Sequence, residues 1–254
     1  LVLFVLLARA LGPGFVGDYK TVIMYLRIFQ NLVDFGLTQL VMREVAILDD
    51  RREAGTLLMN YGFAGLCLAV VLAMAMAITA RLVSYPPPLM LSIYVVSLAL
   101  LPGAWRRVAE ATLTGMESMK YIALISILGG VARVILSWLA FWHAGGLVSI
   151  IAVVVLTQAA VVPAYMWVIH RFLVPMRLRP DLSYVKHTAQ QIGTFFVMGI
   201  LLMGVGTQLD VIMVHKIASS EQAGFYSAAS AAVQTILMLH PPIIQAAFPS
   251  MSLF

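Results

Sequence analysis

The 254-residue sequence contains a single cysteine, Cys67, and charged side chains make up only 11% of it. A soluble domain carries about 25% charged residues, so this chain lacks the polar surface that a water-soluble globule needs. Cys67 stands alone in an apolar run, which excludes a disulfide framework and a thiolate metal cluster. His143, His170, His187, His215 and His240 are scattered without ligand spacing, so no metal site is implied. No Gly-rich phosphate loop follows a strand, and no Ser/His/Asp set stands out. The sequence therefore nominates neither enzyme chemistry nor a cofactor. Alternating runs of about ten residues are also missing, which argues against a transmembrane barrel.

What the chain has is apolar length. It is 62% hydrophobic, with a mean hydropathy of +0.97. Eight hydrophobic segments are predicted, at roughly 1–9, 19–42, 56–83, 89–114, 121–142, 147–170, 188–215 and 224–249, as expected of an all-α polytopic membrane protein. The connections between them are short and leave no room for a soluble domain. The chain begins on Leu1 inside an apolar run and stops at Phe254 just after another, so it reads as a fragment.

The formal charge of +5 is better explained by topology than by nucleic acid, because basic residues gather in cytoplasmic loops. Arg43, Arg51, Arg52, Arg106, Arg107, Lys120, Arg171, Arg177, Arg179 and Lys186 are assigned to the even connections. Arg9, Lys20, Arg81 and Lys216 are assigned to the odd ones. This asymmetry predicts a cytoplasmic N-terminus, with residues 10–18, 84–88, 143–146 and 217–223 facing outward. An internal repeat also emerges at an offset of 207. It aligns Arg9 with Lys216, Gly17 with Gly224 and Tyr19 with Tyr226, each after an apolar run. Six segments separate the copies, so both have the same orientation, as in a parallel repeat.

Segment 19–42 carries a charged stripe. Lys20, Arg27, Asn31, Asp34 and Thr38 fall within about 60° of one another on a helix, with Val22, Leu26, Phe29, Leu32, Val33, Gly36 and Leu40 on the broad opposite side. A charge at mid-bilayer costs at least ~3 kcal/mol on insertion scales, so that face must avoid lipid. Arg133 shares a face with Ser126, Gly129, Gly130 and Ser137, and Asp210 shares one with Gly199, Met203, Gly206 and Thr207. The repeat carries Lys20 to Ser227, Arg27 to Gln234 and Asp34 to Pro241, so the second copy of the face is polar but uncharged. Bland readings stand beside these. Lys20 can snorkel to an interface, Arg133 can reach a headgroup or a neighbour's carbonyl, and Asp210 can brace a helix end. Arg27 and Asp34 lie about 10 Å apart along one helix, too far for direct contact. Trp105, Trp138, Trp142 and Trp167 read as interface belts. "PMRLRP" reads as an inside loop. The excess of arginine suits phosphate, because the planar fork offers bidentate donors and keeps its proton.

The stretches "LARALGPGFVGDY", "DFGLTQLVMREVA", "GMESMKY" and "QLDVIMVHKIASSEQAGFYSAA" resemble the oligosaccharide (O-antigen type) flippases of polysaccharide biosynthesis. These belong to the multidrug/oligosaccharidyl-lipid/polysaccharide exporter superfamily. The resemblance implies a multidrug-and-toxic-compound-extrusion-like bundle of two lobes. Residues 1–186 would form the first lobe, with helix 1 truncated, and 187–254 would begin the second with helices 7 and 8. It also implies a multi-pass protein of the cell membrane that flips an isoprenyl-diphosphate-linked oligosaccharide outward by alternating access. Its partners would be that substrate, membrane lipids and glycan-assembly proteins, with no nucleic acid. On this reading Arg27, Arg133, Lys20, Asn31, Asp34 and Gln234 line the substrate cavity, while Asp210 and Asp34 serve an ion or the structure. Asp34 precedes Phe35 and Gly36 in a motif the family shares, which suits a helix bend. The chain departs from the family where Lys20 and Arg27 interrupt a helix that is usually more apolar. A cation-coupled multidrug exporter using Asp34 or Asp210 is the alternative within transport. A membrane polymerase or ligase of glycan assembly is the alternative outside it, and would need a large outer loop or a clustered acid/base set.

Overall fold

In the computed structural model the backbone is described over residues 2–34, 36–48, 51–144, 146–173 and 209–237, and no strand occurs among them. The expected segment 188–215 falls mostly outside the described residues. So do "PMRLRP" and the end of segment 224–249, Pro241 included.

The first run, α1 (Val2–Asp34), contains one non-helical residue, Gly12 at φ 79° and ψ 173°, followed by Pro13. Glycine tolerates this positive φ, and proline is pre-set for the first turn of a helix and needs no donor there. The connection expected over 10–18 is thereby reduced to Gly12, and residues 13–18 are already helical. Segment 19–42, expected as one helix, is divided between α1 and α2 (Leu37–Ala46) by Gly36 at φ 77°.

Five more helices follow in the first 173 residues: α3 (Arg51–Val83), α4 (Pro87–Ser97), α5 (Leu100–Gly115), α6 (Met119–Ala144) and α7 (Leu147–Val168). A π-helical turn, Ile169–Leu173, extends α7. After the undescribed stretch come α8 (Leu209–Ile217) and α9 (Ser220–Leu237). Among the described residues, four helical runs are long and apolar enough to cross a membrane: Glu53–Val83, Pro87–Gly115, Met119–His143 and Leu147–Arg171.

The chain forms two compact units, one of Leu1–Thr21 with Leu209–Phe254 and one of Val22–Gln208. In the larger unit the core lies where α2, α3, α5 and α7 meet, around Val41, Leu58, Leu113 and Tyr165. Gly62 lets α3 approach the Trp105 ring, since a methyl there would sit 2.4 Å from it. Trp105 is thus half-buried against α3, while Trp138, Trp142 and Trp167 are exposed. The buried Tyr25 and Tyr85 rings meet edge to face at 5.9 Å and tie α1 to the α3–α4 connection. Burial pushes the Tyr85 phenol far above its ordinary value, and the neighbouring Tyr25 hydroxyl adds to the shift.

The end of α5 shows how local chemistry stops a helix. Glu117 sits at φ 57°, its N–H donates to the Thr114 carbonyl (2.9 Å), and the Ser118 N–H reaches back to Leu113 (2.8 Å). This is a Schellman ending with glutamate where glycine is usual.

In the smaller unit the sequence repeat has a structural counterpart. The helix after Gly12 starts at Pro13, and α9 starts at Ser220, 207 residues later. Val16 and its repeat mate Ala223 are both buried.

Candidate functional site

The site is built on the second half of α1, in the larger unit. Val22, Leu26, Phe29 and Val33 are buried, whereas Arg27 is exposed and Asn31 and Asp34 are half-buried. The apolar side of the helix has gone into the core, and the charged side remains open. Periodicity accounts for this division, because 3.6 residues per turn separates the two sets without help from neighbours.

Tertiary packing then supplies Asp34 with partners. Arg107 Nη1 of α5 donates to Asp34 Oδ2 at 2.7 Å, and its Nη2 donates to Asn31 Oδ1 at 3.3 Å. The spacing of three places Asn31 and Asp34 one above the other, where a single guanidinium fork spans both. Thr38 of α2 donates its hydroxyl to the other carboxylate oxygen of Asp34. Asp34 thus clasps both sides of the Gly36 bend, and its charge is taken up by Arg107. The sequence reading counted Arg106 and Arg107 with the basic residues of the fourth connection. Both stand inside α5, about a third exposed or less, because the helix runs on to Gly115.

A second polar cluster lies on the other flank of α5. Glu110 Oε1 accepts from Arg106 Nη1 at 3.1 Å and from the hydroxyl of the fully buried Tyr165 at 2.9 Å. Tyr165 is also 3.4 Å from the Ser126 hydroxyl. A third contact joins α1 to α7, where Gln30 Nε2 donates to Gln158 Oε1 at 3.1 Å. Gly103 of α5 makes room for it, since a methyl there would stand 3.0 Å from Gln30. None of Arg106, Arg107, Glu110, Tyr165, Gln30 and Gln158 was singled out from the sequence as a site residue. The available signal was the Arg-Arg-x-x-Glu run inside an apolar segment, which a loop assignment concealed.

Of the remaining expected residues, Arg133 of α6 donates Nε to Thr157 Oγ1 of α7 at 3.1 Å. Thr157 in turn donates to the Val153 carbonyl at 2.8 Å. Lys20 is half-buried in the smaller unit. Asp210 of α8, also in that unit, accepts from the Tyr226 hydroxyl and from the Val211 N–H. Gln234 stands on α9, and its side chain lies outside the described residues.

No curated protein and no solved structure matches the chain. A family does. The model of the family described as "Polysaccharide biosynthesis protein" matches residues 1–254, in a chain whose described residues include four helical runs fit to cross a membrane. The charged face of α1 and the paired arginine of α5 thus belong to a multi-pass membrane protein, and the chain is a member of the polysaccharide biosynthesis protein family.

Proposed function

We propose that this membrane protein is a transporter, not an enzyme, and that it moves an isoprenyl-diphosphate-linked oligosaccharide from the cytoplasmic to the outer leaflet by alternating access. The observation that supports it is the one-sided α1. Its apolar side is buried in the core, while Arg27 is exposed and flanks a polar face. A charged face in a membrane chain requires water or an anionic partner. Because Arg107 already takes up the Asp34 charge, that carboxylate does not cancel Arg27. The balance left for a ligand is basic, which suits a diphosphate and disfavours an organic cation.

The orientation follows from the loop charges. Ten basic residues are assigned to the even connections against four on the odd ones. The inside assignment of the N-terminus is retained.

The test is flipping of a lipid-diphosphate oligosaccharide in proteoliposomes under an imposed potassium diffusion potential. A diphosphate carries roughly two negative charges, each worth about 2.3 kcal/mol per 100 mV, so an inside-negative potential should speed outward movement. Arg27→Ala should slow it, and Arg27→Lys should keep part of the rate because charge survives without the fork. Rates that ignore the potential but collapse without a Na⁺ or H⁺ gradient would overturn this mechanism in favour of an ion-coupled exporter.

A further inference from the structure

The helix after Gly12 and α9 touch through backbone, and the contact is reciprocal under the repeat. A methyl on Gly17 would lie 1.9 Å from the Ser220 carbonyl oxygen, and one on Gly224 would lie 2.1 Å from the Pro13 carbonyl oxygen. Adding 207 to Gly17 gives Gly224, and adding it to Pro13 gives Ser220. The two contacts are therefore mates across a local two-fold axis, as residue i meeting j and j meeting i defines an isologous interface. Only glycine lets two helices approach this closely, a device familiar from helix pairs in membranes.

A side-chain latch closes over the contact on one side of the axis. His215 Nε2 lies 2.8 Å from Asp18 Oδ1 and 3.1 Å from Ser220 Oγ. A carboxylate only accepts, so Nε2 carries the proton and shares it between the two oxygens. Since aspartate and serine engage the same ring nitrogen, the trio is not a hydrolytic relay, which uses both nitrogens. The repeat mates of Asp18 and His215 are Phe225 and Ala8, which cannot form such a bond. The latch exists once.

We propose that the Gly17–Gly224 contact is the outer gate of the transport path and that Asp18–His215 holds it shut in this structure. The inference rests on the transporter reading and on the orientation given above, which puts the Gly12 turn and the 218–219 turn on the outer side. The two glycine-bearing helices belong to repeat copies that must part if substrate is to leave outward. Backbone contact seals the path without a bulky side chain, and a single hydrogen-bonded latch can be released by small movements.

Two measurements test it. In a Cys67→Ala background, Asp18→Cys with His215→Cys should cross-link in membranes through a short bifunctional methanethiosulfonate reagent, whose two disulfide links span more than a direct disulfide does. Flipping should then fall by about tenfold or more, since the gate must open in every cycle, and return on reduction. Cross-linked protein that flips at the reduced rate would overturn the gate while leaving the transporter reading intact. The second measurement needs no substrate. Thr21 is buried one turn below Gly17, donating its hydroxyl to the Gly17 carbonyl at 2.9 Å. In the same background, Thr21→Cys should react slowly with a membrane-impermeant thiol reagent added outside. Gly224→Ala should speed that labelling about tenfold, because it shifts the population towards the parted state. Asp18→Asn, a milder change, should speed it by less. Equal labelling rates in all three would overturn the gate even if the unsubstituted protein moves no lipid-linked sugar.

Discussion

α5 and α6 are both apolar enough in their helical runs to cross a membrane, yet they treat charge in opposite ways. α5 carries Arg106, Arg107 and Glu110, and each has a hydrogen-bonded partner. Two of those partners, Asp34 and Tyr165, come from α1 and α7, between which α5 is packed. α6 carries one arginine within its span, Arg133, turned to Thr157 of α7. Its other side exposes Ile127, Leu128, Val131 and Ile135, a surface suited to lipid tails. Hydropathy is thus not what decides where a membrane helix holds charge. Enclosure on two flanks makes a charged triad affordable in α5, whereas α6 has one packed flank and keeps one arginine on it.

The sharpest way to break this contrast is to unpair α5. Arg107→Leu should destabilise the protein by about 3–4 kcal/mol, because Asp34 is left as a half-buried charge without its counter-ion. The double variant Arg107→Leu/Asp34→Leu should recover more than about 1 kcal/mol in a double-mutant cycle read by denaturant unfolding in detergent. Additive losses would mean that the pair is not coupled. Next in size is the complementary insult to α6. Ile127→Arg should cost about 3 kcal/mol of apparent insertion free energy, measured with a glycosylation-site reporter, if the residue sits at mid-bilayer. A cost near zero would place that side of α6 against water or protein.

Tyr165→Phe should cost about 1–2 kcal/mol, since Glu110 loses a buried donor but keeps Arg106. Unfolding of the variant beside Glu110→Gln would show whether the hydroxyl or the charge matters more to the second cluster. The smallest effect belongs to the end of α5. Glu117→Gly should raise stability by no more than about 1 kcal/mol, because relief of the positive φ is partly offset by the freer unfolded chain. A loss on that substitution would show that the Glu117 side chain has a role its backbone angle does not reveal.

Much of this architecture was legible in the residues themselves. Sparse charge and long apolar runs specify a helical membrane protein, and spacings of three, four and seven divide α1 into a buried side and an open side before any neighbour is known. The Gly-x-Tyr repeat at offset 207 likewise survives as two helix starts at Pro13 and Ser220. These are local properties, written in composition and in helical period. The partners were not local. Asp34 meets Arg107 across 73 positions of sequence and Gln30 meets Gln158 across 128, and no periodicity links such residues. The loop count gave no sign that Arg106 and Arg107 are paired, for a related reason, since distance from a segment end says nothing about whether a carboxylate waits on the next helix. Sequence alone determined which side of each helix is polar. Only the packed structure decided which of those polar groups neutralise one another and which, like Arg27, remain open, because that depends on helices brought together by their apolar sides.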